Sequence, residues 1–398
     1  MTDWKEIESR VFMTTGRRMP VVVERGEGTR VWDDNGKPYL DFFGGPAVHS
    51  LGHCHPVVVK AIEEQARTLI HVSNAVYSVP QLQLAELLVA NSCFDRVYFS
   101  NSGAEANEAA IKLARKWGKE RKDGAFEIIC AVDAFHGRTL ASVTATGTER
   151  YSAPFAPLPP GFVHVPFNDI EALQQATTPQ TCAILLEPVQ GEGGVNVPNA
   201  SYFPAVREWC NAMNILLMVD EVQTGMCRTG PLFAYQDMDF EPDVMTLAKG
   251  LGSGVPIGAI LAKEECSVFT PGDHGSTYGG NPLATAAAFA VTKYMLDTDM
   301  PAQVERIAAY VGEKLEGLRR RLPAVTEVRG KGLLIAVGLA GDHAEKVVMD
   351  CLANGLIVNN VRPNAVRLAP PLVVSHAEVD EAVSILEGSL SRVIPSTV

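Results

Sequence analysis

Between residues 95 and 265 the chain alternates short apolar runs with stretches of helical spacing. The runs RVYFS, FEIICAV, CAILLEP, ILLMVDE, DVMTLA and IGAILA are apolar almost throughout, as strands covered on both faces by helices are. Any one of them could be a buried helix segment. Several in series, each separated by enough chain for a helix, predict an α/β unit with a mostly parallel sheet. Further on, Val304, Ile307, Ala308, Val311, Leu315 and Leu318 form a helical stripe that Pro323 stops. It opens a smaller α+β domain over residues 297–398, in which GLLIAVGLA, GLIVNNV and AVRLAPPLVV read as strands. Ser375 and Glu378 form a capping box at the start of its last helix. Near the other end, Asn35-Gly36 between two β-like runs predicts a hairpin turn.

At 398 residues, 46% of them hydrophobic, the chain can bury more than one core, which leaves residues 51–296 for a large domain. A net charge of −12 argues against a nucleic-acid surface or an anionic membrane. No apolar run approaches the ~20 residues of a membrane span, and MTDWKEIESRVF is too charged for a signal-peptide core. A cytoplasmic enzyme is the expectation. The eight cysteines are scattered without a Cys-x-x-Cys pair, so they are expected to be reduced and mostly buried.

Three polar interruptions carry the chemistry. In YFSNSGAEANEAAIKLARKW a strand ends at Asn101-Ser102-Gly103 and a helix begins. Its free N–H groups and positive dipole end suit a phosphate, and an ordinary N-cap would read the same way. In LLMVDEVQTG, Asp220 and Glu221 end an apolar strand. A buried acid there needs a metal, an arginine or a protonated ring nitrogen as partner. In MTLAKGLGSG, Lys249 ends another strand before Gly250, Gly252 and Gly254, which would let backbone and ligand approach closely. Ligands of open α/β sheets bind beyond the carboxyl ends of strands, so all three groups would face one crevice. Together they meet the needs of pyridoxal 5′-phosphate: a lysine for the Schiff base, an acid for the pyridine nitrogen and an anion site.

Taken in order, NSGAEANEAAIKLARKW, AFHGRTLASVTATG, EPVQGEGGV, VDEVQTGMCRTG, TLAKGLGSGVPIGA, HGSTYGGNPLA and VRLAPPLVV resemble the class III, ornithine-type, pyridoxal-phosphate aminotransferases over nearly the whole chain. The resemblance implies fold type I: a large domain with a mainly parallel mixed sheet, and a small α+β domain that residues 1–50 join. It also implies a homodimer with shared active sites. By the same resemblance Lys249 bonds the cofactor, Asp220 pairs with the pyridinium nitrogen, Gln223 meets the ring hydroxyl and Phe135 stacks on the ring, with His136 and Val222 beside it. Ser102, Gly103 and Ala104 would hold the phosphate, joined by Thr277 of the other subunit, and Ser276 would lie beside the substrate. Arg138 would receive the carboxylate of the amino donor and Arg367 that of glutamate or 2-oxoglutarate, with Glu192 masking Arg367 by turns. GHCHP, with His53, Cys54 and His55, matches the family as a structural turn, so no metal is expected.

The implied reaction moves the 5-amino group of N2-acetylornithine to 2-oxoglutarate, giving glutamate, as a step of arginine biosynthesis. Ornithine, 4-aminobutyrate and succinylornithine are the alternative donors. The absence of a tyrosine between Phe12 and Val23, which could receive a free α-amino group, leans toward the acetylated one. The chain departs from the family at Pro46, His49, Val79 and Cys227; the first two segments, with Pro46 and His49 and with Val79, are expected to border the substrate entrance and so bear on substrate preference, while the cofactor expectation is unaffected.

Overall fold

A computed structural model describes residues 2–394. Strands β1 (Val23–Glu27), β2 (Arg30–Asp33) and β3 (Pro38–Asp41) form an antiparallel meander, and the β2–β3 turn carries Asn35-Gly36 as expected. Gly36 has φ +80°, the left-handed conformation that favours glycine.

The central sheet holds β4 (Arg96–Ser100), β5 (Glu127–Ala131), β6 (Phe162–Val165), β7 (Thr181–Leu186), β8 (Leu216–Asp220), β9 (Val244–Leu247) and β10 (Gly258–Ala262). Their order is β4-β10-β9-β8-β7-β5-β6. β6, β5, β7, β8 and β9 run parallel, and β10 runs antiparallel to both of its neighbours. Every residue of β7, β8, β9 and β10 is buried, which is why these runs are apolar without alternation. Successive side chains go to opposite faces: Ile128 and Cys130 pack with Ala110, Leu113 and Ala114, while Ile129 and Ala131 join the larger core on the other side.

In the C-terminal part, β11 (Val325–Lys331), β12 (Leu334–Leu339), β14 (Asn359–Arg362) and β15 (Ala365–Leu368) form a second antiparallel sheet in the order β11-β12-β15-β14. GLIVNNV is not one strand. It breaks at Val358, and its first half, β13 (Leu356–Ile357), pairs in parallel with β3. AVRLAPPLVV is strand only to Leu368, because the two prolines that follow cannot donate to a ladder. The helix Met300–Arg321 buries Val304, Ile307, Val311, Leu315 and Leu318 and ends before Pro323, and Ser375 and Glu378 cap the helix His376–Val393 reciprocally. The eight cysteines are free, six of them buried. Among the described residues no helix is long and apolar enough to cross a membrane.

Candidate active site

The parallel strands β7, β8 and β9 bring Glu187, Asp220 and Lys249 to one edge of the sheet, where a cavity of about 410 Å³ opens. Ser102, Gly103, Ala104, Phe135, His136, Arg138, Glu192, Val222 and Gln223 line it as well.

Asp220 is buried, and three donors fix its carboxylate. Oδ1 accepts from the Val222 amide at 3.0 Å, and Oδ2 accepts from Asn107 Nδ2 at 2.7 Å and pairs with His136 Nδ1 at 2.8 Å. Asn107 also donates to the His136 carbonyl at 2.7 Å and accepts from the Thr246 hydroxyl at 2.8 Å. Burial opposes a charge on His136, but its bond to Asp220 and the charge of that acid outweigh it and raise the imidazole above its ordinary value. His136 Nε2 has no hydrogen-bond partner among the described residues.

Lys249 follows β9 with φ +40°, a left-handed conformation that costs a side-chain-bearing residue energy and occurs where surrounding structure over-determines it. Its amine has no hydrogen-bond acceptor among the described residues. Burial pushes the amine below its ordinary value against the pull of Glu192, and the charge of Arg367 adds to the push. The glycines after it have a different reason from the expected one. A Cβ at Gly250 would come within 2.6 Å of Ser50 Oγ, and one at Gly252 would strike the Val255 carbonyl and lie 3.0 Å from Ile257. They permit close packing of the protein on itself, and of the three only Gly254 lines the cavity.

Arg367, on β15, is fully buried. Its Nη1 donates to Glu192 Oε1 at 2.6 Å and Gln223 Oε1 at 3.2 Å, and Gln223 Nε2 donates to the same Glu192 oxygen at 3.2 Å. Burial would raise the Glu192 carboxyl, but the charges of Arg367 and Lys249 hold it below the usual carboxylate value. Arg138 is exposed, and its guanidinium lies 3.8 Å over the Tyr151 ring and 5.4 Å over Phe135. Ser276 bonds Asn101, a residue of the cavity wall, at 3.2 Å. Thr277 stands apart, exposed, in a separate pocket with His71 and Gln81. The GGPAVHS segment reaches the cavity through Val48, and the expected turn at GHCHP is held by His53 Nε2 on Asp41 Oδ2 at 2.8 Å.

The residues fit pyridoxal 5′-phosphate. An unpartnered amine, an acid held in place by three donors and a helix start at Gly103 open on one cavity. Ser102 caps that helix by accepting from the Glu105 amide at 3.2 Å. Sequence reasoning passed over Asn107, a polar residue inside an alanine face, and Thr246, inside β9. It also passed over Glu187, which ends an apolar strand just as Asp220 does and could have been found by that rule.

The family model for class III aminotransferases matches residues 12–390. Among curated relatives, an acetylornithine aminotransferase of Gloeobacter violaceus is 51% identical over 100% of both chains. Another, of Caldanaerobacter subterraneus subsp. tengcongensis, is 49% identical over 97% of this chain and 98% of its own. Among solved structures, an ornithine aminotransferase of Toxoplasma gondii with partial occupancy of pyridoxal phosphate (PLP) at its active site is 37% identical. It superimposes with a TM-score of 0.93 over 98% of this chain and 94% of its own.

Proposed function

The chain belongs to the class III aminotransferases, and on that basis we propose that it transfers the 5-amino group of N2-acetylornithine to 2-oxoglutarate, releasing N-acetylglutamate 5-semialdehyde and glutamate in arginine biosynthesis. Its cofactor is pyridoxal 5′-phosphate. The observation that carries the reading is the pair of buried Arg367 with half-buried Glu192 beside an unpartnered lysine amine. A masked arginine lets one cavity serve two substrates, of which only one brings a carboxylate to that position. The acyl-amine preference is supported by the relatives' 49–51% identity over nearly full length.

Bound in the cavity, the cofactor supplies an electrophilic carbon for the amine and a ring that withdraws electrons from the carbon losing its proton. The chain supplies the rest. Ser102, Gly103 and Ala104 would hold the phosphate with backbone N–H groups. Asp220 would keep a proton on the ring nitrogen, its carboxylate already oriented by Asn107, His136 and Val222. Phe135 would cover one ring face and Gln223 meet the ring hydroxyl. Lys249, shifted toward its neutral form by burial, would act as nucleophile and then as the base that moves a proton between substrate and cofactor carbons. Arg138 would receive the donor's α-carboxylate, and Arg367 would receive the carboxylate of 2-oxoglutarate once Glu192 leaves it.

The active form would be a cytoplasmic homodimer. In support, Leu69, Ile70, Val76, Tyr77, Val79, Leu82 and Tyr278 are exposed, Tyr77 by 92%. Thr277 lies next to Tyr278 at this apolar face, from which it would reach a second copy's phosphate site.

The test is a half-reaction. Cofactor-loaded enzyme is mixed separately with N2-acetylornithine, ornithine and 4-aminobutyrate, and formation of pyridoxamine phosphate is followed. Conversion fastest with acetylornithine is expected. Preference for another amine would overturn the substrate, and no conversion with any of them would overturn the activity.

A further inference from the structure

Glu187 has no part in the chemistry above, yet it sits in the middle of the site. It follows β7 as Asp220 ends β8, and Leu186 pairs with Val219, so the two acids stand side by side at the cavity wall. Its two oxygens go to two different loops. Oε2 accepts from the Phe135 amide at 3.1 Å, and Oε1 accepts from the Gly191 amide at 3.3 Å. The first loop carries the residue expected to cover the cofactor ring. The second leads directly into Glu192.

Gly191 itself has no freedom for a side chain, since a Cβ would overlap the Gln223 amide. Gln190, one residue earlier, donates to the Val132 carbonyl at 2.8 Å. The backbone before Glu192 is therefore tied to the Phe135 loop at two points, and Glu187 makes the tie nearest the pair with Arg367. Beyond Gly191 come Gly193 and Gly194, the latter at φ +127°. Their carbonyls accept from Arg362 Nε at 2.7 Å and Arg329 Nε at 3.0 Å, so the backbone is anchored on both sides of Glu192 and movement away from Arg367 falls to the Glu192 side chain.

We infer that Glu187 is a positioning residue that fixes the fulcrum of the Glu192 loop and so sets the balance between amine donor and dicarboxylate. The inference rests on the proposed two-substrate reaction. With Gly191 held, Glu192 returns to Arg367 and the site suits the donor. With Gly191 released, the Glu192–Arg367 pair is less well placed, and a dicarboxylate competes for Arg367 more easily. Burial and the charge of Asp220 push the Glu187 carboxyl up to about 8, against His136 and the two amide donors, which favour its acceptor form.

The test is Glu187→Gln, which keeps shape but replaces one acceptor oxygen with an NH2 that cannot accept. Both half-reactions are measured, with N2-acetylornithine and with glutamate, together with calorimetric binding of glutarate to the cofactor-loaded enzyme. Losing one of the two bonds should lower the donor-to-glutamate ratio of kcat/KM about five- to tenfold and tighten glutarate by a similar factor. A parallel fall in both half-reactions, or no change in ratio and glutarate affinity, would overturn the inference while leaving the aminotransferase reading intact. Failure of the unmodified enzyme to convert either substrate would instead overturn that reading. Should the variant not fold, a crystal structure of the unmodified enzyme with glutarate decides. Glu192 should be off Arg367 with both Glu187 bonds kept, and a broken Glu187–Gly191 bond refutes the fulcrum.

Discussion

Replacing Asn107 by leucine tests whether the polar network under Asp220 is a structural commitment of the fold. Leucine has the branched outline of asparagine with bulkier ends, so overpacking can only add to the cost, and three partners lose their bonds: Asp220 Oδ2, the His136 carbonyl and the Thr246 hydroxyl. The charge-assisted bond is worth about 2 kcal/mol and each neutral one about 1 kcal/mol, roughly 4 kcal/mol in all. The apolar side chain recovers about 1–2 kcal/mol of burial at this fully enclosed position. A net loss of about 2–3 kcal/mol is therefore expected. Urea unfolding followed by circular dichroism, at one fixed protein concentration and with and without cofactor, would measure it, since cofactor binding and assembly both shift apparent stability. A loss below about 1 kcal/mol in the cofactor-free protein would refute the reasoning, because the orphaned groups would then have found other partners.

Two further outcomes follow from groups outside the cavity. Burial pushes the Glu221 carboxyl up to about 7, against the donors Ala234 and Tyr235, from an ordinary 4.5. Between those values the folded protein keeps a proton that the unfolded chain releases, so stability should decline as pH rises through the window, by at most ~1.4 kcal/mol per pH unit. Glu221→Gln should flatten that decline in urea unfolding at about pH 5 and about pH 8, and parallel declines would reject the assignment. Gly118, inside the helix Gly103–Arg121, has no room for a methyl group: it would strike the Ala125 carbonyl and lie 2.7 Å from the Cys182 Cβ. Gly118→Ala gains ~1 kcal/mol of helix propensity and loses up to ~3 to overpacking, a net loss of about 2 kcal/mol. A raised denaturation midpoint would contradict this.

The sequence revealed what it did because burial on two sides writes an unbroken apolar run. β7 to β10 were readable for that reason, and Asp220 and Lys249 stood out as the polar residues that end such runs. β6, half-exposed and carrying His164, and β11, with charges at Glu327, Arg329 and Lys331, escaped because an edge or partly exposed strand lacks that signature. GLIVNNV looked like one strand, since nothing in a local window says that its two halves pair with different sheets. Asn107 was hidden by the method that found its helix: a search for apolar spacing discards the one polar residue on the buried face. The pairing of Arg367 with Glu192 joins residues far apart in sequence, so it came from resemblance to a family, and no spacing rule would have supplied it.

The pairing of β3 with β13 also bears on how the chain is made. Leu40 leaves the ribosome early and must wait for Leu356 before its sheet is complete. Until then the β3 edge of the meander has unpaired backbone, and Leu40 and Phe42, both fully covered in the finished protein, lack part of the core they join. Long-range pairings of this kind are slow to form and leave sticky intermediates. The early-made end should therefore be among the last parts to become protease-resistant during synthesis, and truncations that remove β13 should damage residues near the opposite terminus.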